Sequence, residues 1–424
     1  MRFLFSPPAE QAAGLLTLPW HQPLEQWQDD RLVDVRQRGL HRHVVRFAAE
    51  GTRVYVLKEI PEPLARREYS LLRQLAALGI PVVDVLGIAI DRPDDIDAIL
   101  VTHFLDYATT YRSLFANPRG TLPTNHLLDA MVQLLVRLHL AGFMWGDCSL
   151  SNTLFRFDAG NLAAYLVDAE TGEMHPQLSD RLREYDLDIA HERIAGELFD
   201  LQAGELLPEG VDPIDTADEV VRRYHALWSE LTREDVLDPA EQRYKITERL
   251  VRLNELGFDV DEMELVAVDG GNRLKVRTRV AEPGHYRRLL STRTGLNVQE
   301  NQARRLLNDM TAFRAYLEQT TSAPVPEPVA ANRWLAEVYD PVVNAIPDEL
   351  RGRLDEAEVF HEVLEHRWFL SEKAGRDVGT TAAARDYFRR VLPGIPDTLT
   401  QTIDPQAVVA DPTGADADAI SELS

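Results

Sequence analysis

The sequence contains very little cysteine and very little lysine. Among 424 residues there is one cysteine, Cys148, and there are four lysines beside 41 arginines. A single cysteine cannot form an intramolecular disulfide, and no spacing of cysteine and histidine matches a structural zinc site. Because lysine is so rare, Lys58 at the end of the apolar pattern VYVLK is more than a casual surface charge. A compact ammonium group with three donors also differs physically from a planar guanidinium, so lysine and arginine are not interchangeable in a narrow site.

Long apolar segments and an excess of positive charge are absent as well. No apolar run is long enough to span a bilayer, and Pro7 and Pro8 interrupt the short run at the N-terminus, so we expect neither a membrane span nor a signal peptide. We therefore expect a cytoplasmic protein. Lys and Arg number 45 against 69 Asp and Glu, which gives a formal net charge of -24. This charge argues against a protein that coats nucleic acid or an anionic membrane.

Patterns in the first half of the chain predict a small sheet followed by helices. Apolar and polar residues alternate in three short segments between residues 31 and 60, which is typical of an antiparallel meander. A helical pattern covers 64–78, two extended segments lie within 81–105, and a strongly amphipathic helix covers 125–141. A loop and two short strands follow this helix.

The second half is predicted to be mainly helical, with one hairpin and one linker. The hairpin turns at Gly270 and Gly271, and the proline-rich segment 321–329 is typical of a linker. Neither lysine nor arginine follows Arg390, and we expect the acidic segment 395–424 to be a disordered tail. The predicted helices cover most of 180–235, then 241–257, the region from the hairpin to 319, and 355–375.

Five polar residues occur in the order that phosphoryl transfer on a kinase-like fold requires. Asp147 and Asn152 stand five positions apart in the loop GDCSLSN, and Asp168 follows the second short strand. The reaction needs a carboxylate near the attacking hydroxyl, and amide and carboxylate oxygens that hold magnesium. Upstream, Lys58 ends a strand and Glu68 lies in the next helix, placed to pair with it. Each piece alone could be a surface pair, a loop or a strand end, but their ordered conjunction favours the kinase-like fold.

On these residues the sequence resembles the protein-kinase-like superfamily, and within it the bacterial lipopolysaccharide kinase group of Kdo and heptose kinases. The resemblance covers roughly residues 30–235 and rests on VYVLK, RREYSLLRQL, GDCSLSN and LVDAE taken together. The C-terminal half is similar to an actinobacterial domain of unknown function. The resemblance implies an α+β, protein-kinase-like bilobal fold. A small antiparallel-sheet N-lobe and a mostly helical C-lobe would be followed by a mainly helical C-terminal α+β domain.

The resemblance also implies roles for the five residues, with ATP and Mg2+ as cofactors. Lys58 would contact the α and β phosphates as part of the catalytic machinery, and Glu68 would hold Lys58. Asp147 would be the catalytic base. Asn152 and Asp168 would bind Mg2+ and, through it, the nucleotide.

Two segments would complete the nucleotide site. Thr102 to Tyr107, with Phe104, would be the hinge beside the adenine ring. The first hairpin has one glycine, Gly39, where nucleotide-covering loops usually have several, so its backbone would support the phosphates less. Basic side chains of this hairpin, Arg38 among them, either take over phosphate contacts or belong to a solvated edge strand. The basic residues of the hairpin are Arg36, Arg38, His41, Arg42, His43 and Arg46.

Several other positions allow two interpretations. Trp145 stands where many relatives have a histidine that acts mainly as a structural strut. Glu170 is either an additional metal ligand or a capping or surface residue. Cys148 is better explained as a small buried filler than as a redox switch, because nothing indicates a depressed pKa. The motif His361 to His366 is offset by one residue from the zinc-binding HExxH pattern, and an amphipathic helix explains it better.

Three functions remain open for this chain. It is an ATP- and Mg2+-dependent phosphotransferase acting on a hydroxyl of a small molecule, glycan or protein, a pseudokinase that binds nucleotide, or a nucleotidyl transferase that moves AMP. The expected partners are a nucleotide and either an unidentified acceptor or a protein bound through the C-terminal half, and nucleic acid is not expected. The predicted domains are an N-terminal extension (1–29), the N-lobe and hinge (30–107), the C-lobe (108–235), an α+β accessory region (236–320), a helical C-terminal region (330–394) and the tail (395–424).

Overall fold

The computed structural model of this chain contains two compact units. The first lies within Met1–Ala65 and Val85–Phe104, and the second within Arg66–Asp84 and Leu105–Leu399. Among the described residues, no helix is both long enough and apolar enough to cross a membrane. The described residues are 1–5, 14–33, 43–51, 53–93, 96–116, 124–232, 235–237, 260–268, 273–280 and 284–395.

The first unit is built on a six-stranded antiparallel sheet. Its strands are β1 Arg2–Phe5, β2 Leu32–Val33, β3 Val44–Glu50, β4 Arg53–Ile60, β5 Val85–Ile90 and β6 Ala98–His103. Their order in the sheet is β1-β5-β6-β4-β3-β2. Because β2, β3 and β4 are consecutive neighbours, the meander predicted for 31–60 is confirmed within the described residues. Gly51, at φ 61°, makes the tight turn between β3 and β4.

The segment that precedes β2 packs on this sheet through buried tryptophans. The rings of Trp20 and Trp27 meet edge to face with their centroids 5.3 Å apart, in a core that also contains Tyr55 of β4. Buried Arg92 donates to the carbonyl of Trp20 at 2.8 Å and pairs with Glu59. A buried charge is tolerated when it is paired and hydrogen-bonded in this way.

The first strand is an element that the sequence patterns do not predict. β1 pairs with β5, with Arg2 opposite Ile90, although the sequence analysis gives only an extension over 1–29. A four-residue strand before two prolines is too short for its alternation to stand out. The strand is instead stabilised by its hydrogen-bonded pairing with β5, which is distant in sequence.

The second unit is mainly helical. Helix α1 begins in the first unit and continues into the second. The helices are α1 Glu62–Ala77, α2 Tyr111–Ala116, α3 Thr124–Leu140, α4 Asp180–Ala203, α5 Pro213–Thr232, α6 His285–Thr294, α7 Glu300–Thr321, α8 Glu327–Trp334, α9 Asp340–Val343, α10 Glu356–Ala374 and α11 Thr380–Arg390. The strands are β7 Phe143–Met144, β8 Thr153–Asp158, β9 Asn161–Leu166, β10 Glu173–Met174, β11 Asp235–Leu237, β12 Val260–Val268 and β13 Arg273–Val280.

The C-terminal helices α6 to α11 share one apolar core. Trp334, Tyr339 and Phe360 lie at its centre, and Phe157 from β8 packs against it. Helix α10 shows why the sequence folds locally as it does. Asp355 caps its N-terminus by accepting from the N–H of Glu358 at 2.9 Å, and the helix ends at a glycine in the left-handed region.

The predicted linker at 321–329 is wrong. Helix α7 continues to Thr321, and Val325 is buried against Leu317 and Ala330. The N–H of Val325 donates to Oε1 of Glu318 at 3.1 Å, so the segment is a packed turn between two helices. The prolines that suggested a linker end one helix and begin the next.

Other predicted elements can be compared only in part. The hairpin around Gly270 is confirmed by the antiparallel pairing of β12 with β13, although the turn itself lies outside the described residues. The predicted helix at 241–257 and nearly all of the tail at 395–424 also lie outside them. The sheet unit and the helical unit together give the α+β architecture that was predicted.

Candidate active site

The loop between β7 and β8 holds Asp147 and Asn152 in direct contact. Nδ2 of Asn152 donates to the carbonyl oxygen and to Oδ2 of Asp147, both at 3.1 Å. Because both partners are acceptors, the NH2 group must face Asp147, and the amide oxygen of Asn152 is left for another group such as a cation. Oδ1 of Asp147 pairs with Nε of Arg193, an exposed residue of α4, at 3.0 Å. Arg193 is a neighbour of the proposed base that the sequence analysis does not identify.

Three carboxylates meet beside the end of β9. Glu68, Asp168 and Glu170 each place one oxygen within 4.8 Å of the others. Glu68 projects from α1 and is buried. The N–H of Glu170 donates to Oδ1 of Asp168 at 3.0 Å. An oxygen-only donor set of this kind suits a hard divalent cation such as Mg2+.

Backbone contacts bring the loop and these carboxylates to the same end of the hairpin formed by β8 and β9. The N–H of Val167 donates to the carbonyl of Asn152 at 3.0 Å, and Thr153 pairs with Leu166 in the ladder. Arg67 of α1 donates to the carbonyl of Gly172 at 2.7 Å, which fixes the helix that carries Glu68 against the chain after Asp168. The arrangement is therefore held by backbone geometry as well as by side chains.

Trp145 links the two parts of the site. Its indole N–H donates to the carbonyl oxygen of Asp168 at 3.0 Å, and its backbone N–H donates to Oδ2 of Asp186 at 2.7 Å. The side chain is fully buried. Trp145 thus makes a structural connection at the position where the resemblance leads one to expect a histidine.

Asp186 of α4 organises the start of the loop, and sequence reasoning missed it. Its carboxylate accepts from the N–H of Gly146 at 2.8 Å and from that of Trp145, and it lies 3.0 Å from Nε2 of His139. Burial lowers the pKa of His139, which favours the neutral ring, and Nδ1 contacts the hydroxyl of Tyr224 at 2.6 Å. The sequence feature that could have identified Asp186 is an aspartate on the apolar face of a helix.

Glu197 anchors the rest of the loop in the same way. It accepts from the N–H groups of Leu150 and Ser151 at 2.7 and 2.9 Å, and burial raises the pKa of its carboxyl. Glu197 follows Asp186 by about three helical turns, so both project from one face of α4. Two acids at this spacing on a buried face are the pattern that could have identified the helix as the support of the loop.

Two of the predicted site residues, Lys58 and Thr102, lie on strands of the first unit. Lys58 lies on β4, half-buried, between Val45 of β3 and Leu100 of β6. Thr102 is buried on β6 opposite Val56. The predicted pairing of Lys58 with Glu68 stays a prediction.

The hinge and the first hairpin also keep their roles as predictions. The N–H of Phe104 donates to the carbonyl of Val54 at 2.9 Å, and its ring meets Phe47 edge to face at 6.0 Å. Arg38 lies outside the described residues.

Two motifs for which a structural role was favoured have one here. Cys148 is fully buried, and burial raises the pKa of its thiol well above the ordinary value, which agrees with a filler. His361 contacts Glu365 and His366 contacts Asp386, each at 3.1 Å. The two histidines therefore have separate carboxylate partners and do not form a shared pair.

Two segments of this chain match known protein families. Residues 27–203 match the Lipopolysaccharide kinase (Kdo/WaaP) family, and residues 226–392 match a Domain of unknown function (DUF4032). The predicted resemblance to the lipopolysaccharide kinase group and the predicted kinase-like α+β fold are thereby confirmed, and the match of residues 27–203 supports a kinase-like phosphotransferase.

No curated protein matches the chain. A solved structure titled "WaaP in complex with acyl carrier protein" shares 16% identity with a TM-score of 0.34, and the match covers 54% of this chain and 100% of that one. A likeness at this level does not itself define the fold of this chain.

Proposed function

We propose that this chain transfers the γ-phosphoryl group of ATP, with Mg2+, to a hydroxyl group of an acceptor. The observation that carries the proposal is the contact of Asn152 with Asp147, in a loop whose backbone bonds to Val167, directly before the carboxylate cluster of Asp168, Glu170 and Glu68. A proton acceptor and an oxygen-rich cation site lie at the same end of one hairpin, and phosphoryl transfer requires both groups.

Asp147 is the proposed base. Its carboxylate accepts a proton but cannot donate one while ionised, and it would receive the proton of the attacking hydroxyl. Asn152 restrains the orientation of the carboxylate through Oδ2, and Arg193 does so through Oδ1. Because Arg193 is exposed, its ion pair is weak enough to open when an acceptor approaches.

The donor set fits Mg2+. The amide oxygen of Asn152 and the carboxylate of Asp168 are the proposed ligands, and Glu170, near Asp168, is the proposed additional one. When bound, Mg2+ neutralises charge on the phosphates and on the transferred group. Lys58 is the proposed partner of the α and β phosphates. Binding of this kind contributes to rate by positioning the reactants and by charge stabilisation.

The acceptor is proposed only as a hydroxyl on a small molecule, glycan or protein. Lipopolysaccharide is the substrate in the name of the matching family and is one candidate glycan. A cytoplasmic location is part of the proposal because ATP is available there.

The test measures product formation from ATP and Mg2+ by the full-length protein, with candidate acceptors supplied. We expect ADP and a phosphorylated product, and at least a hundredfold loss in Asp147→Asn and Asp168→Ala. Asp188→Asn is the matched control, because Asp188 is exposed on α4. AMP attached to an acceptor would contradict the proposal in favour of nucleotidyl transfer. Nucleotide binding with no turnover across the acceptors would contradict it in favour of a pseudokinase.

A further inference from the structure

The turn between β8 and β9 presents two backbone N–H groups to a carboxylate of the C-terminal helices. Ala159 and Gly160 have φ of 54° and 77°, as in a type I′ turn. Their N–H groups donate to Oε2 and Oε1 of Glu358 at 2.6 and 2.7 Å. Alanine in this conformation costs about 1–2 kcal/mol, and the two hydrogen bonds to Glu358 offset that cost. Glu358 therefore stabilises the turn in a conformation that is unfavourable for Ala159.

The hairpin makes the reciprocal contact with the C-terminal helices. Oδ1 and Oδ2 of Asp158 accept from the N–H groups of Gln302 and Asn301 at 2.8 and 3.2 Å, at the N-terminus of α7. Nε2 of Gln302 also donates to Glu358 at 2.9 Å, which links the two carboxylate sites. Asp158 and Glu358 are 4% and 0% exposed. Removing either carboxylate would leave buried N–H groups unpaired, at about 1–3 kcal/mol each.

The C-terminal helices also contact the strands of the hairpin, in addition to its turn. The side chain of Gln299 donates to the carbonyl of Phe157, and the hydroxyl of Tyr165 donates to Oε1 of Gln299 at 3.0 Å. The ring of Phe157 packs on the core of the C-terminal helices. An isolated two-stranded hairpin is marginally stable in water. The rigidity of this hairpin therefore depends on the helices that surround it.

The opposite end of the same hairpin carries the proposed metal ligands. β8 begins directly after Asn152, and β9 ends two residues before Asp168. The paired strands extend about 17 Å from the turn to this end, at about 3.4 Å per residue. One continuous ladder therefore connects the turn to the segments that carry both ligands.

We propose that the C-terminal helices are the scaffold that positions Asn152 and Asp168, and that Glu358 is a positioning residue for this site. The inference rests on the proposed function, because it acts through the two proposed metal ligands. It assigns a task to the region that matches DUF4032: this region restrains the hairpin, and none of its groups has to touch the nucleotide.

The test compares Glu358→Gln with Glu365→Gln in the full-length protein. Glu365 lies two turns further along α10, its side chain is 59% exposed, and the substitution is the same. In Glu358→Gln we expect at least a tenfold rise in the Mg2+ concentration that half-saturates ATP binding, and faster hydrogen exchange at the amides of 158–161. In Glu365→Gln we expect neither change.

A purely structural role of Glu358 would give a different result. It would lower the fraction of folded protein and leave the half-saturating Mg2+ concentration of the folded fraction unchanged, which would overturn the inference. If Glu358→Gln does not fold, Gln302→Ala takes its place, because it removes the side chain that bonds to Glu358 and leaves both carboxylates present. We then expect about a threefold shift, and no shift overturns the inference.

Asp168→Ala, measured in parallel, separates this inference from the proposed function. If Asp168→Ala abolishes the Mg2+ dependence and Glu358→Gln leaves it intact, only the role of Glu358 fails. If Asp168→Ala leaves the dependence intact, the metal site itself fails, and the inference fails with it.

Discussion

The indole N–H of Trp145 donates to the backbone carbonyl of Asp168 at 3.0 Å. This hydrogen bond joins the loop that carries Asp147 to the segment that carries the proposed metal ligand. The backbone N–H of the same tryptophan donates to Asp186, and this bond restrains the backbone from which the indole ring projects. A tryptophan can therefore serve as the strut at a position where a histidine is expected from the resemblance.

Replacing Trp145 with phenylalanine should lower stability and turnover more than the same substitution at an exposed tryptophan. Trp145→Phe removes the hydrogen bond and leaves a small cavity, and we expect a loss of about 1–3 kcal/mol in the free energy of unfolding. We also expect Mg2+-dependent turnover to fall about tenfold. The control is Trp368→Phe, because Trp368 is 67% exposed. Full activity in Trp145→Phe would contradict this role.

Asp186 should be the most sensitive position of the loop support. Its buried carboxylate accepts from the N–H groups of Trp145 and Gly146, and Asp186→Asn replaces an acceptor oxygen with a donor. Because a buried N–H group then loses its acceptor, we expect a loss of about 1–3 kcal/mol, measured by urea unfolding. Asp188→Asn, on the exposed side of α4, should change stability by less than about 0.5 kcal/mol. Equal effects of the two substitutions would contradict the assigned role.

The sequence allowed the local elements to be predicted, but not their long-range partners. Asp147, Asn152 and Asp168 could be identified because the order and spacing of their motifs are local features. Asp186 and Glu197 could not, because the backbone groups that they bind lie 40 or more residues earlier in the chain.

The same limit applies to the C-terminal half. The partner amides of Glu358 are 199 and 198 positions away, and nothing in its own segment marks it as buried. The segment 321–329 was misjudged because proline content indicates a break in a helix and does not indicate whether the break is packed. Val325 is buried by tertiary contacts with Leu317 and Ala330, which a local pattern does not contain.

Cys148 should be inert in the folded protein. Burial raises the pKa of its thiol well above the ordinary value, so the reactive thiolate is suppressed. We expect no reaction with Ellman's reagent at neutral pH over the time in which the urea-unfolded chain reacts completely. Rapid labelling of the native protein would show that the thiol is accessible, and would revive the redox interpretation.

Stability should fall as the pH rises, because of the two carboxylates at the base of the hairpin turn. Burial raises the pKa of Glu358 to about 8 and that of Asp158 to about 6, and nearby Asp355 adds repulsion to both. The folded state therefore retains protons that the unfolded state releases above its lower pKa. The free energy of unfolding should then decrease between about pH 5 and about pH 8, by at most about 1.4 kcal/mol per pH unit for each proton.

Urea unfolding across this pH range tests whether the free energy of unfolding decreases with pH, and whether Glu358 causes the decrease. Glu358→Gln cannot titrate, so the decrease between about pH 6 and about pH 8 should become shallower in this variant. Glu365→Gln should retain the wild-type slope. A stability that increases with pH in the wild-type protein would contradict the assignment.

The most direct test of the proposed site is the Mg2+ dependence of ATP binding by the full-length chain, measured by titration calorimetry. We expect ATP to bind at least tenfold more tightly with Mg2+ than with EDTA, which is about 1.4 kcal/mol. Asn152→Ala and Asp168→Ala should abolish this difference, and Asp188→Ala should keep it. Equal affinity with and without Mg2+ in the wild-type protein, or an unchanged difference in Asp168→Ala, would contradict the proposed metal site.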